Sequence, residues 1–382
     1  MKRQLAHLGE YTDLVTAAGR SRELFPLAEP GRRTQRKVRE ILSFNPGPEK
    51  PKAVRVEKRW TCDGIDAELI TWSVGYGPRT QAWLLRPAGV RGKLPGIVAL
   101  HDHGAFKYYG KEKIADGPTA TPKPMRDFRN IYYAGRPYAN ELARRGFAVL
   151  VPDVFLWGSR RFEYATIPPW DRSTAEQLDR TPADVSPDAW SREVNVYNAA
   201  TACHEHTIAR YCRVLGTTLA GIVSHEDRIA AAYLAGRSDS QPGGIGCVGL
   251  SGGGCRSALL QATCKDIRAA VIVGMMSTYT QMLDHNIICH TWMLFPHAWS
   301  HHGDWPDLAA CRAPSPLMVQ YDMEDELFTP AGMKAAHRRI ASHYRSVGAG
   351  SNYEGQFYGG PHKFDAEMQE NAFGWLAAKL KG

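Results

Sequence analysis

The 382-residue sequence contains no apolar run of the length a membrane-spanning helix needs, about 20 residues, so no membrane partner is expected. Its opening, MKRQLAHLGEYTDL, lacks the apolar stretch of a secretory signal. Cysteine is sparse. The 8 residues, at 62, 203, 212, 247, 255, 264, 289 and 311, form no CxxC pair and no regular framework, which argues against a disulfide scaffold and against a zinc ribbon. Buried, reduced thiols in a cytoplasmic protein are the expectation. Internal repeats and low-complexity tracts are absent, which excludes solenoids and arrays. There is no HExxH. His101-Asp102-His103 and His204-Glu205-His206 alternate in a way that could share a strand face, but they lie far apart in sequence, so no metal and no cofactor is expected. The net charge of +8 comes with no nucleic-acid motif. Much of the excess sits at Arg32, Arg33, Arg36, Lys37 and Arg39, which read as the solvated face of a helix rather than a nucleic-acid surface.

What is present is a large apolar content, 43%, arranged in a pattern. Residues 1–50 read as a helical N-terminal arm, clearest in GRRTQRKVREILSF and ended by NPGP. Two alternating segments, about 53–60 and 66–74, and then QAWLLRP predict an antiparallel opening meander. LPGIVALHDHG (94–104) is a short, continuously apolar run ending in a Gly-containing loop. The same pattern recurs at 146–153, 244–251, 269–276 and 315–322. Such runs are strands buried on both faces of a parallel sheet. Amphipathic helical stretches separate them, at 138–145, 219–237, 253–264, 331–348 and 364–380. The expected fold class is therefore α/β, a doubly wound and mostly parallel sheet formed by residues 51–382. Two segments interrupt the alternation, about 105–137 and 155–205. Both follow the carboxyl ends of strands, where open α/β sheets bind ligands, and both are read as insertions roofing a site.

The central motif is Gly249-Leu250-Ser251-Gly252-Gly253, a G-x-S-x-G between a buried strand and a helix. A serine on so tight a strand-to-helix turn presents its hydroxyl, and its neighbours pass too close for large side chains. The following helix aims its N-terminus, and the N–H of Gly252, at charge developing on a carbonyl oxygen. A serine nucleophile needs a base, and the base needs an orienting carboxylate, in the chain order Ser, acid, His. His362, in the loop GGPHKF before the last helix, fits the base. Histidines 285–302 precede the acid strand, and 337 and 343 lie within a helical pattern. Asp325, in the loop after SPLMVQYD, is the preferred acid, with Asp322 as the alternative. The second oxyanion donor is expected in the loop after Leu100, at Ala105, with Gly104 next. His103 and Trp157 are candidate substrate contacts. The aromatics Tyr108, Tyr109, Trp170 and Trp190 in the insertions point to a large or ring-shaped substrate.

With LHDHG, GLSGGG, the D-x-L-F-x-P loop and GGPHKF in this order, roughly residues 80–382 resemble the dienelactone-hydrolase and acetyl-xylan-esterase-like branch of the α/β-hydrolases. The resemblance implies hydrolysis of a small-molecule or carbohydrate ester through an acyl-enzyme, with catalytic roles for Ser251, Asp325 and His362 and oxyanion roles for Gly252 and Ala105. The chain also departs from that branch. Dienelactone hydrolases are shorter and carry a cysteine nucleophile, and typical acetyl xylan esterases of the fold have glutamine where this chain has Gly252. C–C bond hydrolysis of a β-diketone-like substrate, which the helical arm keeps open, and acyl transfer are the alternative reactions on the same site. Self-association into a homo-oligomer is left open.

Overall fold

The continuously apolar runs form the centre of a nine-stranded sheet in the order β1-β2-β3-β5-β4-β6-β7-β8-β9. The computed structural model describes residues 4–179 and 190–381, so residues 180–189 of the second insertion lie outside the described residues. β1 (Lys52–Cys62), β2 (Ile65–Ser73) and β3 (Thr80–Pro87) are the antiparallel meander, and β3 pairs antiparallel with β5 (Ala148–Pro152). From β5 onward every neighbour is parallel: β4 (Gly96–Leu100), β6 (Ile245–Leu250), β7 (Ile267–Val273), β8 (Leu317–Asp322) and β9 (Tyr353–Tyr358). β4, β5, β6 and β8 are buried at every residue. They feed two cores by simple alternation: Val98, Leu100, Cys247 and Val319 pack on one face, and Ile97, Ala99, Val248 and Met318 on the other.

The helices are α1 (Asp13–Ser21), α2 (Arg32–Leu42), α3 (Lys123–Tyr133), α4 (Tyr138–Arg144), α5 (Pro169–Asp179), α6 (Arg192–Val214), α7 (Leu219–Ala235), α8 (Gly252–Thr263), α9 (Tyr279–Met282), α10 (Trp305–Ala310), α11 (Pro330–Ser346) and α12 (Ala366–Leu380). α7, α8, α10 and α11 contribute to the first core, and α4 and α12 to the second. Five thiols are buried and Cys62, Cys203 and Cys289 are exposed; none of the eight is in a disulfide. No helix among the described residues is long and apolar enough to cross a membrane.

α2 joins the larger core through Val38 and Leu42, and the last carbonyl of the helix, on Leu42, accepts the Thr218 hydroxyl at 3.1 Å. The charged residues Arg32, Arg33, Arg36 and Arg39 are left exposed, as a solvated face should be. Leu42→Ala empties a site that is 3% exposed and is expected to cost about 2–5 kcal/mol, read as a lower midpoint in urea or heat.

Candidate active site

Loops at the carboxyl ends of β4, β6, β8 and β9 build the site. β6 runs directly into α8, and Ser251 at the junction has φ 58 and ψ −123, outside the regions an L-residue ordinarily occupies. The neighbouring glycines explain how the chain passes. A Cβ on Gly249 would lie 2.5 Å from the Gly253 carbonyl carbon, and one on Gly253 would lie 2.2 Å from the Leu100 oxygen. The bend is thus fixed from both sides by backbone, and Ser251 N–H is tied to the Val273 carbonyl at 2.9 Å.

His362 and Asp325 meet in the loops beyond β9 and β8. His362 Nδ1 and Asp325 Oδ2 are 2.6 Å apart. Asp325 Oδ1 accepts from Leu327 N–H at 2.8 Å, which orients the carboxylate. The other ring nitrogen, Nε2, is buried and has no partner among the described residues. Burial works against a charge on this imidazole, but the bond and charge of Asp325, with help from Asp322 and Asp102, outweigh it and raise the His362 pKa above the ordinary value. Ser251 and His362 line one cavity of about 250 Å³. Gly274, just past β7, makes room for the ring: with φ +57 and no side chain, it lies where a Cβ would be 2.9 Å from His362 Cε1. Sequence reasoning passed over this position, although a glycine closing the strand beside the nucleophile strand was a visible signal.

Asp322, the alternative acid, does not hydrogen-bond the histidine. Its Oδ2 accepts from Lys363 N–H at 3.1 Å, Oδ1 is unpartnered, and burial pushes its pKa up to about 7. It still lies close: ligand atoms of Asp322, Asp325 and His362 are all within 4.8 Å of one another. The hydrogen bond between His362 and Asp325 brings two of them together, and the bond of Asp322 to Lys363 N–H holds the third beside them. The two His-acid-His triplets meet where His103 bonds Glu205.

The loop after β4 differs from expectation in two places. Ala105, expected as an oxyanion donor, has φ 46, and its N–H is already given to His103 Nδ1 at 3.0 Å. The His103 backbone passes close to Gly252: its nitrogen would be 2.5 Å from a Cβ placed there. Gly252 is the first residue of α8, so its N–H is among those without an acceptor inside the helix. Trp157, expected to touch substrate, is instead 1% exposed. Its ring packs against His103 at 5.3 Å, and its Nε1–H donates to the His103 carbonyl at 3.3 Å. His103 does line the cavity, with Ala105, Phe128, Tyr132, Met275 and Thr291. The first insertion thus reaches the site, through Phe128 and Tyr132. No described residue of 155–205 lines this cavity, although Tyr164 and Tyr197 line a second one, of about 890 Å³, together with Tyr108.

Among solved structures, a candidate acetyl xylan esterase from Bacteroides fragilis superposes with a TM-score of 0.62 at 17% identity, covering 92% of this chain and 82% of that one. The glucuronoyl esterase from Solibacter usitatus gives 0.56 at 13% identity, covering 90% and 92%. The chain has the α/β-hydrolase fold. A candidate hydrolase of Bacillus subtilis, YtaP, is 20% identical over 309 residues, which is 79% of this chain and 83% of that protein. No family model matches the sequence. At these identities the likeness fixes the architecture, and the chemistry has to be argued from this chain's own residues.

Proposed function

We propose that the protein is a carboxylic ester hydrolase of short-chain esters, working through an acyl-enzyme on Ser251. The observation that carries this reading is the cavity shared by Ser251 on its strained bend and by His362, whose second nitrogen is held by Asp325. Ser251 attacks the ester carbonyl while His362 Nε2 takes its proton. The charge that appears on the ring is stabilised by Asp325. The oxyanion is received by the N–H of Gly252 and by that of His103, since Ala105 N–H is engaged elsewhere. His362 then protonates the leaving alcohol, and water repeats the sequence on the acyl-enzyme, releasing the acid and restoring Ser251.

The cavity of about 250 Å³, walled by Phe128, Tyr132, Leu250, Met275 and Leu327, suits an acetyl or similarly short acyl group. Esterases acting on carbohydrate esters share the fold, and a carbohydrate ester is the class we favour for the natural substrate. The test is turnover of p-nitrophenyl acetate, p-nitrophenyl octanoate, acetylated xylan and a β-diketone, with fluorophosphonate labelling followed by peptide mapping. Acetyl turnover well above octanoyl, with the label on Ser251, is expected. Diketone cleavage without ester turnover, or a label elsewhere, overturns the proposal.

A further inference from the structure

Lys107, Glu205, Thr291 and Trp292 surround the loop that follows β4, and none of them is accounted for by the reaction just described. Glu205 is buried on α6, a helix that sends no residue into the cavity. Each of its carboxylate oxygens has two partners. Oε2 is 2.7 Å from His103 Nε2 and 2.8 Å from Lys107 Nζ, while Oε1 accepts the Thr291 hydroxyl at 2.8 Å and Trp292 N–H at 3.1 Å. A carboxylate with this many donors is fully satisfied despite burial; Lys107 and His103 more than offset the desolvation and hold its pKa well below the usual range.

From this geometry we infer that Glu205 is a positioning residue for the oxyanion donor, acting through the side chain of His103; the inference rests on the esterase reading above. The state of His103 follows from its contacts. Ala105 N–H donates to Nδ1, so Nδ1 is an acceptor and the ring proton sits on Nε2, where it is donated to Glu205. Burial lowers the His103 pKa, Lys107 adds to that, and Glu205 opposes it only in part, so the ring stays neutral at neutral pH. A neutral imidazole held at both nitrogens cannot rotate without losing a bond. The main chain of the same residue is held as well: its carbonyl accepts Lys113 Nζ at 2.9 Å and Trp157 Nε1–H at 3.3 Å. The His103 backbone nitrogen, which lies close beside Gly252, is therefore set by a buried network whose anchor, Glu205, belongs to an insertion. Through Thr291 the same carboxylate ties the opposite wall of the cavity to this loop. Transition-state stabilisation of this kind is sensitive to small displacements, and a misplacement of about 1 Å costs on the order of 10²-fold in rate.

The experiment compares wild type, Glu205→Gln, His103→Asn and the double variant on p-nitrophenyl acetate and in the rate of fluorophosphonate labelling, with a thermal melt of each. Asparagine at 103 can still accept Ala105 N–H but cannot reach Glu205, and it leaves the Glu205–Lys107 pair in place should Glu205→Gln fail to fold. Each single variant is expected to lose about 30- to 300-fold in kcat, with KM changed less than about threefold and labelling slowed in step. The double variant should be no more than about threefold worse than the poorer single one, because both break one connection. A Glu205→Gln or His103→Asn enzyme with near-native kcat, a loss confined to KM, or single losses that multiply in the double variant overturns the inference. A wild type that neither turns over ester nor takes the label fails at the esterase reading itself and removes the positioning role with it. A wild type that does both, beside an indifferent Glu205→Gln, fails only here.

Discussion

Alanine at position 251 is expected to lower kcat on p-nitrophenyl acetate by on the order of 10⁶, leaving only what the N–H donors and substrate binding supply. The melting temperature should stay close to wild type. The bend at 251 is held by the Ser251 N–H bond to Val273 and by the glycines packed against Leu100 and Gly253, and all of these contacts survive loss of a hydroxyl. Alanine tolerates φ 58 no better and no worse than serine, so the strain of the turn is carried over unchanged. Kinetics and a thermal melt on the same preparation check both halves. An enzyme that keeps more than about a tenth of its rate has its nucleophile elsewhere.

The elements that sequence reasoning located are those whose burial pattern is simple. β4, β5, β6 and β8 are apolar at nearly every position because both faces are covered, and runs of that kind stand out. β9 was missed. Its residues Tyr353–Tyr358 alternate between exposed and half-buried at the sheet edge, and YEGQFY carries too little apolar contrast to mark a strand. α6 begins inside the segment read as an insertion and was not set apart as a helix; its buried face carries Val194, Tyr197, Ala200, Ile208 and Cys212 with Thr201, His204 and Glu205 among them. The polar residues in mid-helix dilute the apolar stripe, so its periodicity stands out less than that of a helix burying leucines throughout.

The same limit governed the site. The places of Ser251, Asp325 and His362 in the fold were legible, because a tight Gly-flanked turn and loops at strand ends are settings that sequence displays directly. The contacts of His103 and Ala105 were not. Whether Ala105 N–H is free depends on where the His103 ring points, and that ring is bonded on its other side to Glu205, 102 residues away. Trp157 was misjudged for a related reason. An indole can be substrate platform or buried brace, and only its packing against His103 distinguishes the two.

Replacing Asp325 by asparagine is the second large effect. It removes the partner of His362 Nδ1 and favours the wrong tautomer, so kcat at neutral pH should fall by about 10⁴-fold. The pH dependence separates this account from a general loss of structure. Only neutral His362 can take the serine proton, so wild-type kcat/KM should decline as pH falls through a pKa lying above the ordinary imidazole value, because Asp325 raises it. In Asp325→Asn that support is gone, and the acid limb should move to lower pH. Asp322 adds a second feature. Its carboxyl titrates at about 7 and lies within the same 4.8 Å cluster, so above that pH it supplies a negative charge beside the imidazole. Loss of the Asp325 charge also removes one of the groups that raise the Asp322 pKa, so residual activity of Asp325→Asn should show a second rise, beyond the His362 limb, as the pH passes through a value below about 7, and Asp322→Asn combined with Asp325→Asn should abolish that second rise. A pH–rate profile of the three enzymes measures it. A residual profile in Asp325→Asn that shows the His362 limb alone would mean that Asp322 stays protonated or points its charge away from the ring.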